Sequence, residues 1–428
     1  MTKVLVFPFL LLPVLLVSSC SKHERPSGGD ADRYANTVVL QWNEAATIAI
    51  TRTGGVPPMS ESRVYAMVNV AVHDALNNIV KKYAVYAFDA AATDEKADPD
   101  AAVALAAHDV LAALLPEQKV FADSLLTVTL AGIADGAAKD RGIALGRSSA
   151  LAMLAKRKDD GASVAQYPVV QGTLPGEYQS TPPFAPGFTS LPGWGKVKPF
   201  ALAGAGQFRP AAPYAINSAA YAADLNEIKT MGCLSCPARN TDQTQLGIFW
   251  LENIPLSWNR IARTLIAQEK LNGWQTARLL ALLHMAEADA NIGAIDAKFF
   301  YNYWRPITAV RLADTDGNPD TGGDAIWNIL APPTPPVPDY PSNHATDGGA
   351  AAELLKRFFE KDEFDFLAAS STTPGVTRTF TSLSQAATEV ALSRIYVGFH
   401  FRNAVVAGEE MGRRIGTYVF EHSLLPVK

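Results

Sequence analysis

Three short segments of the chain carry residue types able to hold an anion and to move a proton beside it. In Lys298-Phe-Phe-Tyr-Asn-Tyr-Trp-Arg305-Pro306 two cations stand seven residues apart, the spacing of two helical turns, among five aromatic residues. A charge set in aromatic surface needs a partner, because burying it unpaired is costly, and two cations on one helix face attract an anion. In Tyr340-Pro341-Ser342-Asn343-His344-Ala345 a proline and a serine precede an apolar helical pattern through Ala350, Ala351, Leu354 and Leu355, which marks a helix start. Ser342 can serve there simply as an N-cap. The free amides of that first turn, with the Ser342 hydroxyl, also point at an anion, and His344 then sits where it can exchange a proton with the bound species. In Ser393-Arg394-Ile-Tyr-Val-Gly398-Phe399-His400-Phe401 a cation and an imidazole stand six apart. A regular helix would turn them away from each other, and Gly398 can bend the chain between them. A solvated pair of charged side chains, a helix cap and a satisfied core histidine would explain the three segments singly. Together they predict one site in which Lys298, Arg305, Ser342, His344, Arg394 and His400 surround a phosphate-shaped oxyanion, with a histidine placed to attack or coordinate its central atom.

These segments must be positioned by helices. Val64, Met67, Val68, Ala71, Val72, Ala75, Leu76 and Ile79 recur at three- and four-residue steps, which marks one apolar helical face. Similar patterns rich in Ala and Leu run over about 99–115, 118–133, 138–157, 216–231, 257–293, 342–360, 380–399 and 402–421. Strand-like alternation is scarce, so the chain reads as all-α. Two stretches break the pattern. Residues 167–215 are rich in Pro, Gly and aromatic residues, and 313–341 hold Asp314, Asp316, Gly317, Asn318 and Asp320 before a run of prolines. Proline cannot sit in a helix interior, so both are long ordered loops over helices. The spaced acids of the second resemble a calcium loop, but no glutamate stands where the terminal bidentate ligand belongs, and the segment reads as a plain loop.

The 428 residues, 48% of them hydrophobic, suffice for a sizeable core. A formal net charge of −5 removes the strongest reason to expect nucleic acid as a partner, so any anion site must be a local basic cluster. The N-terminus begins Met-Thr-Lys, continues as an apolar run from Val4 to Val17 and ends in Ser18-Ser19-Cys20, an export signal too short to span a bilayer. Val17-Ser-Ser-Cys20 resembles a bacterial lipobox. That resemblance implies a lipoprotein signal peptide at 1–19, lipidation of Cys20, a flexible polar tether over 20–35 and anchoring to the cell envelope, in the periplasm or at the outer membrane. Membrane contact is then expected only through the lipid. The remaining cysteines, Cys233 and Cys236, lack the further ligands of a structural zinc site and lie in an exported chain, which favours a small local disulfide. A thioredoxin-like redox centre would need a βαβ context that is not found.

In order and internal spacing, Lys-x6-Arg-Pro, Pro-Ser-x-His and Ser-Arg-x5-His resemble the superfamily that joins type 2 phosphatidic acid phosphatases, bacterial class A acid phosphatases and vanadium-dependent haloperoxidases. The resemblance covers 298–408. Ala277-Arg278-Leu279-Leu280-Ala281-Leu282, Ala286-Glu287-Ala288-Asp289-Ala290 and His73-Asp74-Ala75 are similar to the haloperoxidase branch in particular. It implies helical bundles of the acid phosphatase/vanadium haloperoxidase type with long Pro/Gly-rich loops, in one domain over 36–428. By carry-over, Lys298, Arg305 and Arg394 neutralise the equatorial oxygens of the anion, and Ser342 with the Asn343 amide donates hydrogen bonds. His400 is the nucleophile toward phosphate or the ligand to the vanadium of vanadate, and His344 is the acid or base at the opposite apex. Three positions depart from the family pattern. Asn343 replaces the usual glycine, Val337 stands where haloperoxidases often carry an aromatic residue or histidine, and Ala404 stands where an aspartate commonly follows the histidine. Activation of His400 therefore requires another residue to substitute for that carboxylate.

The leading expectation is an exported, vanadate-dependent haloperoxidase-like enzyme that oxidises a halide or similar nucleophile with hydrogen peroxide. An acid phosphatase that acts on a phosphate ester through a phosphohistidine is the alternative, with no cofactor. The third reading is an anion-binding lipoprotein without turnover. The absence of any multi-span apolar pattern weighs against an integral-membrane phospholipid phosphatase.

Overall fold

The computed structural model describes residues 31–427, so the expected signal peptide and Cys20 lie outside the described residues. Thirteen α-helices make up most of what is described. Packing begins earlier than the tether expected over 20–35 allows. Ala31 and Tyr34 are buried, and the Tyr34 carbonyl accepts from the Gly273 amide at 2.8 Å.

The N-terminal half comprises α1 (Thr37–Thr53), α2 (Pro58–Asn77), α3 (Pro99–Leu114), α4 (Lys119–Ala131) and α5 (Ala137–Arg157). After a long loop come α6 (Ala219–Met231), α7 (Thr241–Phe249), α8 (Ile254–Gln268) and α9 (Gly273–Tyr301). The C-terminal half adds α10 (Pro306–Leu312), α11 (Asn343–Phe359), α12 (Leu383–Tyr396) and α13 (Arg402–His422). The single helical stretch expected over 257–293 is two helices. Asn272 and Gln275 form a reciprocal capping box that starts α9 afresh.

α9 is the axle of the molecule, packing against α2 on one side and against α11 and α13 on the other. It is buried on nearly every face from Gly273 to Lys298, as a helix with apolar residues all round must be. One continuous apolar core, with Trp42, Trp258, Trp274, Leu280 and Leu283 fully enclosed, joins both halves through it. The loop over 167–215 is ordered, as expected. Its Phe200, Ala201 and Leu202 amides donate to the buried Asp289 carboxylate of α9 at 2.6–3.0 Å.

α11 and α13 touch backbone to backbone. Gly408, Gly412 and Gly416 of α13 recur every four residues, and a Cβ on them would lie 2.6, 2.1 and 2.4 Å from the carbonyl oxygens of Ser342, Thr346 and Ala350. Only glycine fits this seam. It fixes the start of α11 against the start of α13.

The one two-stranded hairpin among the described residues, β1 (Glu363–Ala369) with β2 (Thr377–Ser382), was not expected. Its second strand displaces the start of the helix expected over 380–399, because Phe380 packs on Phe366 and Trp250 while Ser382 caps α12. The acids of the 313–341 loop serve their own backbone. Asp316 Oδ1 accepts from the Asn318 amide at 2.8 Å, Asp314 Oδ1 accepts from the Gly323 amide at 2.8 Å, and Asn318 Nδ2 donates to Ile216 O at 2.7 Å. Among the described residues no helix is long and apolar enough to cross a membrane.

Candidate active site

Three helix boundaries meet at one cavity. Lys298 occupies the last turn of α9, which Asn302 closes in a left-handed conformation at φ +48°. Arg305 is therefore not two turns along the same helix, as its spacing suggests. It is the residue that caps α10, delivered to the site by the break. α12 ends at Tyr396, and Gly398, at φ +82°, reverses the chain so that the Phe399 and His400 amides both donate to Arg394 O, at 3.0 and 3.2 Å. The bend expected at Gly398 is present. No side chain fits there, because a Cβ on Gly398 would lie 2.5 Å from Gly232 O.

Gly232 opens a turn that sequence reasoning did not connect to the site. Cys233 and Cys236 are disulfide-bonded within it. Arg239 Nη1 donates to Met231 O and Cys233 O at 2.7 Å and to Tyr396 O at 3.2 Å, which ties the turn to the end of α12.

The three cations are buried and braced by backbone carbonyls. Lys298 Nζ donates to Pro338 O and Asp339 O, each at 2.8 Å. Arg305 donates through Nε to Val337 O at 2.7 Å and through Nη1 to Phe399 O at 2.9 Å. Arg394 Nη1 donates to Trp250 O at 2.9 Å, its guanidinium lies 4.7 Å from the Phe399 ring centre, and its buried Nε has no partner. Burial pushes the Lys298 ammonium well below its usual range, with Arg305 adding to the effect and Asp339 opposing it. Burial and Arg305 push Arg394 down to about 9. Burial is the larger cause of both depressions, and a bound anion would offset the mutual repulsion that adds to it.

The carboxylate missing at Ala404 is supplied by Asp339, a residue singled out by no motif. Its Oδ1 lies 2.9 Å from His400 Nδ1 and 3.8 Å from Arg305 Nη1. Burial pushes Asp339 up to about 7, against the pull of Arg305 and Lys298. Burial, then Arg305, hold the His400 imidazole well below its ordinary value. The imidazole is thus neutral, with Asp339 beside Nδ1 at an ion-pair distance rather than in an aligned hydrogen bond, and with Arg305 Nη1 3.3 Å from Nδ1 and 3.0 Å from Nε2.

His344 lies in the first turn of α11, with Nε2 buried and unpartnered, and burial followed by the Arg394 charge keeps it neutral. Asn343 Nδ2 donates to Asn291 Oδ1 at 3.1 Å, so the side chain that replaces the family glycine is turned toward α9. Ser342 is the exception among the expected residues. Its Oγ accepts from the Ala345 amide at 3.4 Å as an N-cap, and it does not line the cavity.

The cavity measures about 260 Å³ and is lined by Lys298, Arg305, Asn343, His344, Arg394 and His400. Met59, Leu251, Ile254, Val337 and Phe399 add apolar wall. Three cations and the Asp347 carboxyl line it, with Asp339 behind His400, and the Arg394 Nε and His344 Nε2 atoms remain without partners. That donor set fits a tetrahedral or trigonal bipyramidal oxyanion such as vanadate. No cluster of three or more His, Cys, Asp or Glu residues able to hold a bare metal ion occurs among the described residues.

Residues 278–427 match the family described as the VCPO second helical-bundle domain. Over 239 residues the chain is 28% identical to the vanadium chloroperoxidase of Curvularia inaequalis, an alignment spanning 42% of this chain and 39% of that protein. Among solved structures, that of the first bacterial vanadium-dependent iodoperoxidase superposes with a TM-score of 0.78 at 24% identity, covering 92% of this chain and 98% of the other. A holo-type bacterial vanadium-dependent chloroperoxidase superposes at 0.66 with 18% identity, covering 93% and 96%. The fold is that of the vanadium-dependent haloperoxidases, and residues 278–427, which supply the three cations and both histidines of the cavity, are similar to their second helical-bundle domain.

Proposed function

We propose that the protein is an exported, lipid-anchored enzyme of the vanadate-dependent haloperoxidase kind, oxidising a halide or similar small nucleophile with hydrogen peroxide. The observation that carries this reading is the convergence of Lys298, Arg305 and Arg394, all buried, on one cavity with two neutral imidazoles. Bound vanadate would supply the Lewis acidity that activates peroxide.

The chain's own residues hold and orient. Lys298, Arg305 and Arg394 neutralise the anion's oxygens, and their bracing carbonyls keep them from collapsing onto one another or into solvent. His400 would hold the central atom through its imidazole, with the Asp339 carboxyl close behind the ring to favour that role. His344 moves a proton at the far side. Burial and then the same cations hold its basicity down, and an anion that offsets their charge would raise it toward the working range. The apolar wall from Met59 to Phe399 limits water around the reacting oxygen.

The test is direct. Purified protein, with and without added vanadate, is assayed for peroxide-dependent oxidation of iodide, bromide and chloride and for hydrolysis of a phosphate monoester. Halide oxidation that requires vanadate supports the proposal. Ester hydrolysis without vanadate, and no halide oxidation with it, replaces it with a phosphatase acting through His400.

A further inference from the structure

The chemistry above makes no use of three buried carboxyls that stand behind His344. Asp347 is one helical turn further along α11, lines the cavity and is almost fully buried. Its Oδ2 accepts from Asn291 Nδ2 at 2.9 Å, and its Oδ1 has no partner. Asn291 cannot turn over to change this, because its Oδ1 already accepts from Asn343 Nδ2 and its Nδ2 also reaches Glu287 O at 3.1 Å. Glu287 of α9 and Glu61 of α2 repeat the pattern. Glu287 Oε2 meets His284 Nδ1 at 2.8 Å and Glu61 Oε2 accepts from Asn253 Nδ2 at 2.8 Å, while Oε1 of each is buried without a partner.

The hydrogen bonds around His284 locate a proton in this group. Asn259 donates through Nδ2 to Thr47 and accepts at Oδ1 from Asn43 Nδ2 at 2.9 Å, so its Oδ1 is an acceptor. His284 Nε2, 3.1 Å from that oxygen, therefore carries hydrogen. One proton therefore lies between His284 Nδ1 and Glu287 Oε2, and complete burial of both groups, which disfavours a charged imidazolium–carboxylate pair, places it on Glu287 as a carboxylic acid. Complete burial, which pushes His284 down to about 3, agrees with the neutral ring. The charged groups acting on Asp347 from the neighbouring helices are themselves acids, Glu287 and Glu61, and burial with their proximity drives its carboxyl well upward. Glu252 and Arg260 lie beside Glu61, and Lys298, Arg305, Arg394, His344 and His400 complete the charged surroundings of the cavity. An ionised Asp347 would repel the anion that the cations attract; a protonated one does not.

We propose that Asp347 stands in the cavity as a carboxylic acid and supplies the proton that halide oxidation consumes, with Glu61 and Glu287 as the store that refills it. The role rests on the haloperoxidase reading. In that reaction halide and hydrogen peroxide take up one proton and yield hypohalous acid and water. The halide loses two electrons, the O–O bond breaks, and the departing oxygen leaves as water with the proton that Asp347 gives. Asp347 regains a proton from the neighbouring carboxyls, and they regain theirs by way of the cavity, which Asn253, the hydrogen-bond partner of Glu61, also lines.

The deciding variant is Asp347→Asn, which keeps an oxygen for Asn291 and the shape and neutrality of the acid but has no proton to give. Three measurements are made on the full chain: phosphate affinity by calorimetry, the infrared carbonyl bands of protonated carboxyl groups, and peroxide-dependent iodide oxidation by the vanadate-loaded protein between pH 5 and 8. The expected result is phosphate affinity within about twofold of wild type and loss of one carboxylic-acid band. Turnover should fall roughly a hundredfold at pH 8, with a smaller loss at pH 5, where solvent can protonate directly. A tenfold or greater rise in phosphate affinity, or an unchanged set of acid bands, would show that Asp347 is ionised and overturn the proposal. A lost band with an unaltered pH–rate profile would leave a protonated but idle residue and overturn it equally. If the wild-type protein oxidises no halide, the haloperoxidase reading fails and the proton-supply role falls with it, while phosphate affinity and the infrared band still decide the protonation state.

Discussion

Replacing Gly412 by alanine tests whether the seam between α11 and α13 sets the site geometry. A Cβ there would lie 2.1 Å from Thr346 O and 2.8 Å from Ala350 N, whereas carbon to carbonyl oxygen contacts settle near 3.3–3.6 Å. The two helices must therefore separate locally by about 1 Å. On an open helix the same change would stabilise by about 1 kcal/mol through propensity. Overpacking a closed interface costs about 1–3 kcal/mol, and here it moves helix backbone, so a net loss of about 1–2 kcal/mol is expected. For a chain of this size that is a fall in melting temperature of roughly 1–2.5 °C. Thr346 is two residues from His344, and the Ser342 amide donates to Ala404 O at 2.9 Å across the same seam, so His344 shifts relative to His400. A misplacement of about 1 Å can cost about a hundredfold in rate. Calorimetric melting, phosphate affinity and halide oxidation are measured beside Gly322→Ala, where an added Cβ meets nothing within 4 Å. A Gly412→Ala protein that melts higher than wild type and turns over normally would refute the close-contact argument.

Other perturbations separate the remaining roles. His400→Ala should lose both stable vanadate binding and turnover, whereas His344→Ala should keep anion affinity while turnover falls about 10²–10⁴-fold; intact binding and catalysis in His400→Ala would reverse the assignment. Burial raises Glu61 from 4.5 to about 8, so the folded protein holds a proton that the unfolded chain has released, and stability should fall as pH rises across that interval. Glu61→Gln should flatten the melting temperature between pH 5 and 8, and identical slopes for the two proteins would contradict the shift. Cys20→Ala should release the protein from the membrane fraction without altering anion affinity; persistent membrane association, with no lipid label on the wild type, would reject the lipoprotein reading.

Helices with strong apolar periodicity, such as α2 and α13, were legible because their patterns agree with their burial. α1 was not recognised. Its Thr, Val and Ile content favours helix weakly, and packing of Val39, Trp42, Ala46 and Ile50 into the core decides it. β1 carried a readable signal, alternating Phe364, Phe366 and Ala368 inward, but it is short and lies between helical patterns. At the site, residue identity was more legible than geometry. Lys298 and Arg305 do share the cavity, by way of a helix break that seven-residue spacing conceals. Asp339 was invisible to local reasoning because a carboxylate serving His400 was sought four residues after it, whereas folding brings it from the segment before α11. Asp347 and its companions escaped for the same reason, since α2, α9 and α11 each contribute one acid.

The cations that would cradle the anion also fasten the chain. Lys298, Arg305 and Arg394 hold the carbonyls of Val337, Pro338, Asp339, Phe399 and Trp250, so the loop before α11, the reversal at Gly398 and the end of α7 are all pinned by like charges that repel one another. An anion among them acts as the keystone of an arch: the outward thrust of the three charges turns into compression on it. Folding and occupancy then become a single equilibrium. At a hundred times its dissociation constant the anion adds about 2.7 kcal/mol to stability whatever chemistry follows, and a melting curve recorded against vanadate, phosphate or sulfate ranks them as occupants before any substrate is known.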